Sequence, residues 1–143
     1  VAITASVTNS FLQELLAMTP HTAADVYKIA LYTSAATLSK STTVYSATNE
    51  VANSGSYTAG GITLVGFTVT LDTNTAILDW TTDPTATTFT GTARGALIHN
   101  SSRANKSVAV LDFGSDITAT AGTFTIAFPA PTAAAGLVRI ANP

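Results

Sequence analysis

Apolar and polar positions follow two different rhythms along this chain, and the helical one comes first. Phe11, Leu12, Leu15 and Leu16 recur at helical spacing and form one apolar face. Asn9 or Ser10 can cap the segment, and Ser10 with Gln13 fits a capping box. Thr19 and Pro20 stop it, because the residue before a proline is pushed out of helical geometry. A helix of about ten residues is marginal alone in water, so it must dock on something.

After Pro20 the period shortens to two. Val26 to Thr33 alternates, with Tyr27, Ile29 and Leu31 as the apolar face opposite Val26, Lys28, Ala30 and Tyr32. A long polar stretch follows, 34–60, with room for one short helical turn near Ala35 to Leu38. A structureless loop of that length is unusual inside a domain, so it reads as a functional excursion or an arm covering a sheet edge. Ile62 to Leu71 reads as one strand with Val65, Phe67, Val69 and Leu71 facing the core. Asp72 to Thr75 makes a tight turn to a partner strand, Ala76 to Thr81. Short strands are expected at Thr87 to Thr90, cut by Gly91, and at Thr92 to Asn100. The clearest strand is Lys106 to Phe113. Gly114 to Gly122 reads as loop, Thr123 to Phe128 as a strand with Phe124, Ile126 and Phe128 inward, and Gly136 to Ala141 as the last strand.

About eight strands with frequent turn signals predict an all-β sandwich or barrel rather than βαβ units. At 143 residues the chain fits a single domain, 1–143, with an N-terminal arm and helix over 1–20. Composition agrees. Roughly a fifth of the residues are Thr, which suits a pleated, half-buried surface, and only 10% are charged. The net charge is −2, and the six Lys and Arg residues form no run, so no nucleic-acid partner is expected. No apolar stretch approaches the roughly 20 residues of a membrane helix, and no membrane partner is expected. Val1 to Thr8 has neither the basic nor the apolar region of a signal peptide.

The chain is poor in groups that do chemistry. With no Cys it has no disulfide, thiolate metal site or cysteine nucleophile. His21 and His99 are far apart in sequence and read as two surface histidines. Asp72, Asp79 and Asp83 could converge at one end of a hairpin, and Asp112 and Asp116 flank a glycine turn. Without an Asp-x-Asp-x-Asp series, turn formation is the better reading than calcium binding. Glu14 and Glu50 are the only Glu residues, and no Gly-x-Ser-x-Gly elbow or phosphate loop is present. No cofactor, metal or catalytic residue is expected, and the chain is not read as an enzyme. Candidate interface residues are Phe11 and Leu15 on the helix, Tyr45 and Tyr57 in the polar segment, and Trp80; core packing competes for Tyr45 and Tyr57 and is the better reading for Trp80. Arg94, in an apolar strand, should find a carboxylate or carbonyl partner within the subunit or across an interface.

Several segments, in order and spanning most of the chain, resemble a family of small tailed-bacteriophage virion proteins. They are Val26-Tyr27-Lys28-Ile29-Ala30-Leu31-Tyr32-Thr33, Tyr45-Ser46-Ala47-Thr48-Asn49-Glu50-Val51, Tyr57-Thr58-Ala59-Gly60-Gly61, Ala93-Arg94-Gly95-Ala96-Leu97-Ile98, Val108-Ala109-Val110-Leu111-Asp112-Phe113-Gly114 and Gly122-Thr123-Phe124-Thr125-Ile126. The resemblance implies an antiparallel β-sandwich of jelly-roll type that decorates, as a cement protein, the outside of an icosahedral head. It carries over no catalytic residue. The partners it implies are the major capsid protein and further copies of the chain, as a dimer or trimer on a shell symmetry axis. The location is the capsid exterior, after synthesis in the bacterial cytoplasm. The N-terminal arm, the helix and the 34–60 segment are the parts expected to reach across subunits. The alternative is a tail or tail-fibre component binding a host receptor or glycan, which exposed Tyr45, Tyr57 or Trp80 lining a groove would favour. A third reading is a glycan-cleaving enzyme using Asp79 or Asp83.

Overall fold

The computed structural model describes residues 2–143, so Val1 lies outside the described residues. In chain order the elements are β1 (Ser6–Val7), α1 (Asn9–Leu16), β2 (Tyr27–Tyr32), β3 (Ile62–Thr63), β4 (Phe67–Asp72), β5 (Thr75–Trp80), β6 (Thr85–Asn100), β7 (Lys106–Thr125) and β8 (Val138–Ala141). They form a five-stranded sheet, β1-β7-β6-β2-β3, and a three-stranded sheet, β4-β5-β8. Every strand pair in both sheets is antiparallel. The all-β, sandwich-like architecture with eight strands and one short helix is as the sequence pattern predicts.

The main core lies between the two sheets and under the helix. Tyr27, Ile29, Leu31, Phe89, Ile98 and Val108 of the large sheet meet Trp80 and Val138 of the small one, with Phe11 of α1 closing one side. Aromatic edges lock this centre: Tyr27 stacks on Phe67 at 5.3 Å and meets Trp80 edge-on at 5.3 Å.

Burial on β2 is two-sided, contrary to the single apolar face expected. Ala30 and Tyr32 are as buried as Ile29 and Leu31. The reason is a second apolar cluster on the opposite face of the large sheet, where Ile3, Ala36, Leu38 and the ring of Tyr45 pack on Ala30, Tyr32, Leu97 and Val110. The 34–60 segment covers a face of the sheet, where an edge arm or excursion was expected.

The expected strand Ile62 to Leu71 is two strands in different sheets. Gly66, at φ +86°, turns the chain between them, and a Cβ there would meet Thr81 Oγ1 at 1.8 Å. The Leu64 N–H bonds the Tyr27 carbonyl at 2.9 Å and the Leu64 side chain is buried. Of the expected inward set, Val65, Val69 and Leu71 are 57%, 62% and 73% exposed, and only Phe67 packs inward. The turn after β4 is tight as predicted, with Asp72 paired to Thr75 and Thr73 in the left-handed region.

Where the sequence predicts short strands separated by Gly91 and by a 114–122 loop, the structure has two long continuous ones. Register shifts absorb the irregularities, with Thr88, Gly114 and Ala121 at positive φ. β-Branched Thr keeps both strands extended through their glycines. The cap of α1 also differs. Thr8 is the N-cap residue, and its hydroxyl bonds the Ser107 and Val108 carbonyls at 3.4 and 3.3 Å, leaving no side-chain cap. Ser10 instead meets the Ser107 hydroxyl at 3.2 Å. Of the four apolar helix residues, Phe11 is buried and Leu15 half-buried, while Leu12 and Leu16 are exposed.

Candidate functional site

Three neighbourhoods gather the residues singled out by sequence. The first clasps the 34–60 segment to the large sheet. The Glu50 carboxylate accepts the Tyr45 hydroxyl at 2.5 Å, the Tyr57 hydroxyl at 2.7 Å and the Gly60 N–H at 2.7 Å. Tyr57 Oη in turn accepts the Leu31 N–H at 2.8 Å, which ties the clasp to β2. The Tyr45 ring stacks on His99 with centroids 4.7 Å apart. His99 Nε2 faces the Gly60 carbonyl at 2.8 Å, so that nitrogen carries the proton, and buried Nδ1 has no partner among the described residues. Burial, then the neighbouring Glu50, pushes Tyr45 up to about 12, and burial pushes Tyr57 higher still. Both phenols are therefore donors at neutral pH.

The second neighbourhood anchors α1. Glu14 Oε2 lies 2.6 Å from Lys106 Nζ and 3.5 Å from His21 Nε2. On its other side His21 Nδ1 is 3.2 Å from Asn100 Nδ2, an amide that only donates, so Nδ1 is unprotonated. Asn100 also donates to Asp25 Oδ2 at 2.9 Å, and the Arg103 guanidinium reaches both Asp25 oxygens at 3.1 and 3.0 Å. The Arg103 hydrogen bonds hold Asp25 well below the usual carboxylate range. Burial pushes His21 and His99 below the ordinary histidine value. The two histidines expected at the surface are thus both inside and neutral: the His21 side chain is fully enclosed and His99 is 1% exposed.

The third neighbourhood is apolar. A groove of about 150 Å³ runs between α1 and the small sheet, lined by Phe11, Leu15, Val69, Leu78 and Ile140. Beyond it both walls stay uncovered. On the helix side Leu12, Leu16 and, just past the helix, Met18 are 40%, 88% and 89% exposed; on the sheet side Val69, Leu71 and Ile140 are 62%, 73% and 48% exposed. Leu71 lies opposite Ala76, which pairs with Ile140, so these side chains share one face of the small sheet.

The six candidate interface residues separate accordingly. Phe11, Tyr57 and Trp80 are buried within the chain, where their rings build its core. Leu15 and Tyr45 are half-buried. The cavity beside Trp80 is lined by Phe128, Pro129 and Pro131 and by neither Tyr45 nor Tyr57. Arg94 meets Asp112 at 3.2 Å within the subunit, and Asp112 also accepts the Gly114 N–H at 2.9 Å. Asp72 stands at the tip of the β4–β5 hairpin, where it accepts the Ala133 N–H at 2.6 Å, away from Asp79 further along β5. Among the described residues no group of three or more His, Asp or Glu side chains could hold a metal ion. No helix among them is long and apolar enough to cross a membrane. The arm, helix and 34–60 segment all fold onto their own sheet: Ile3 bridges Leu38, and β1 pairs with β7.

No family model, curated protein or solved structure matches this chain.

Proposed function

We propose that this chain is a bacteriophage head decoration protein, which binds the outside of the assembled capsid and bridges its subunits without an enzymatic activity. The observation that carries the reading is the pair of apolar walls beside α1. Exposed apolar side chains scattered singly are ordinary, but a contiguous set on two facing elements marks a contact surface. Leu16 and Met18 on the helix side and Val69, Leu71 and Ile140 on the small sheet are exposed apolar side chains, and Val69 and Ile140 line the groove together with Leu15. A ligand that binds only the assembled shell stabilises it by mass action, and closed symmetry favours a dimer or trimer at each site.

The test uses purified protein with heads and tails from the virion whose genome encodes it. Cosedimentation with expanded heads, and cryo-electron microscopy density at regular lattice positions, are expected. Heads assembled without the protein should release DNA at lower temperature. Density confined to tails would overturn the proposal in favour of the tail reading.

A further inference from the structure

Asp79 is the one carboxylate residue among the described residues that is buried. It sits near the end of β5 and is 3% exposed. Its Oδ1 accepts the Trp80 N–H at 2.7 Å, while Oδ2 has no hydrogen-bond partner among the described residues and is not fully enclosed. Beside it opens a cavity of about 300 Å³, walled by Trp80, Phe128, Pro129 and Pro131, with Asp83 as the second carboxylate. Asp83 is held in place by the Phe128 N–H, which bonds its Oδ1 at 2.9 Å. The Trp80 and Phe128 rings are 6.3 Å apart and tilted by 49°.

Among the described residues no basic side chain lines this cavity. Arg94, Arg103 and Lys106 are engaged with Asp112, Asp25 and Glu14, and the Arg139 guanidinium donates to the Ala133 and Ala134 carbonyls. A buried carboxylate without a compensating charge is unfavourable, and the missing partner is a cation. Two carboxylates fall short of the six to eight oxygens calcium takes. A neutral sugar would leave the charge uncompensated.

We infer that this cavity binds an organic cation, the ammonium or guanidinium head of a molecule whose apolar stem lies along Trp80, Phe128 and the two prolines. The head pairs with Asp79 Oδ2 and Asp83. The inference does not depend on the capsid reading, since the same head occurs on a free polyamine and on a Lys or Arg side chain of a neighbouring protein. Burial and the nearby Asp83 push the Asp79 carboxyl above its ordinary value, so binding should strengthen as pH rises through that raised value.

The test is a ¹⁵N chemical-shift titration of the intact chain with n-butylammonium, n-butylguanidinium, n-butanol and calcium chloride. Saturable shifts of the Trp80 and Phe128 amides are expected with the two cations and not with butanol. Asp79→Asn should abolish them, and Asp83→Asn should weaken them about tenfold, a change of about 1.4 kcal/mol. Asn keeps the Oδ1 acceptor for the Trp80 N–H, so Asp79→Asn should fold with an unchanged or raised urea midpoint. Spermidine and a capped Gly-Lys-Gly peptide then separate the sources: tighter binding of the peptide assigns the head to a protein side chain, and tighter binding of spermidine to a free polyamine. No saturable shift, equal shifts with butanol, shifts with calcium alone, or cation binding unchanged in Asp79→Asn would each overturn the inference.

Discussion

Single side chains decide how this chain responds to pH and to small deletions. Tyr57 Oη both donates to Glu50 and accepts from the Leu31 N–H. Tyr57→Phe therefore strands a buried backbone donor and removes one of the two bonds to Glu50 Oε1, which keeps the Gly60 N–H, at a cost of about 1–3 kcal/mol. Tyr45→Phe removes one bond at a half-buried position and should lower stability by about 1 kcal/mol or less. Urea denaturation of the two variants checks the order, and equal losses would mean the clasp does not work through β2. The histidines add a sign. Both are held neutral by burial, with folded-state pKa values below the ordinary 6.5. As pH falls through about 6.5 the unfolded chain takes up protons that the folded one refuses, so stability falls. Asp25 acts in the same direction lower down: its depressed pKa contributes stability above about 4 that is lost on further acidification. Urea midpoints should be flat above pH 7.5 and drop between about pH 6.5 and 5. Replacing His21 with Asn should shallow that drop.

At the scale of elements, local pattern was legible where a strand keeps one environment and illegible where its neighbours set its environment. Tyr27, Ile29 and Leu31 were readable as core by alternation alone. Val69 and Leu71 alternate just as well, yet they lie uncovered because Gly66 sends β4 into a second sheet that outruns its cover. The clasp was invisible because Glu50, Tyr57 and His99 belong to no motif and meet only after β2 and β6 pair. Glycine placement makes the clasp testable. Gly60 and Gly61 both have left-handed φ, but a Cβ on Gly60 meets nothing, while one on Gly61 would lie 2.4 Å from the Ile29 carbonyl oxygen. Gly60→Ala should cost about 1 kcal/mol of backbone strain, and Gly61→Ala clearly more, because β2 must move as well. Thermal melts of the pair read the difference. The apolar walls obey the opposite rule. Leu16→Ser with Leu71→Ser removes nothing from the core and should change monomer stability by less than about 0.5 kcal/mol for each site. The same pair should weaken head binding at least tenfold in cosedimentation. Unchanged binding would detach these walls from the contact.

For the whole molecule, the distribution of charge is the informative quantity. Several ionised groups are paired: Glu14 with Lys106, Asp25 with Arg103, Asp112 with Arg94, and Glu50 with two phenols. The buried Asp79 has no such partner among the described residues. The sequence placed Asp79 and Asp83 near one another but could not show that one would be enclosed, since β5 is buried on both faces at its centre, with Ile77 on one side and Trp80 on the other. The linkage sign separates a structural role from a binding one. Its folded pKa is raised, so above about pH 4 the folded state holds an ion it would rather protonate, and stability at neutral pH is lower for it. Were Asp79 present to hold the fold, Asp79→Asn would destabilise the protein at pH 7. On the argument from uncompensated charge, the substitution leaves the Trp80 N–H bonded and removes the penalty. The urea midpoint at pH 7 should then rise or stay level, and the gap between wild type and variant should close toward pH 4. A group that lowers stability and persists in an otherwise balanced core is explained by what it binds, as expected where function and stability trade against each other. A variant less stable than wild type at pH 7 would return Asp79 to the framework and leave the cavity without a cation to attract.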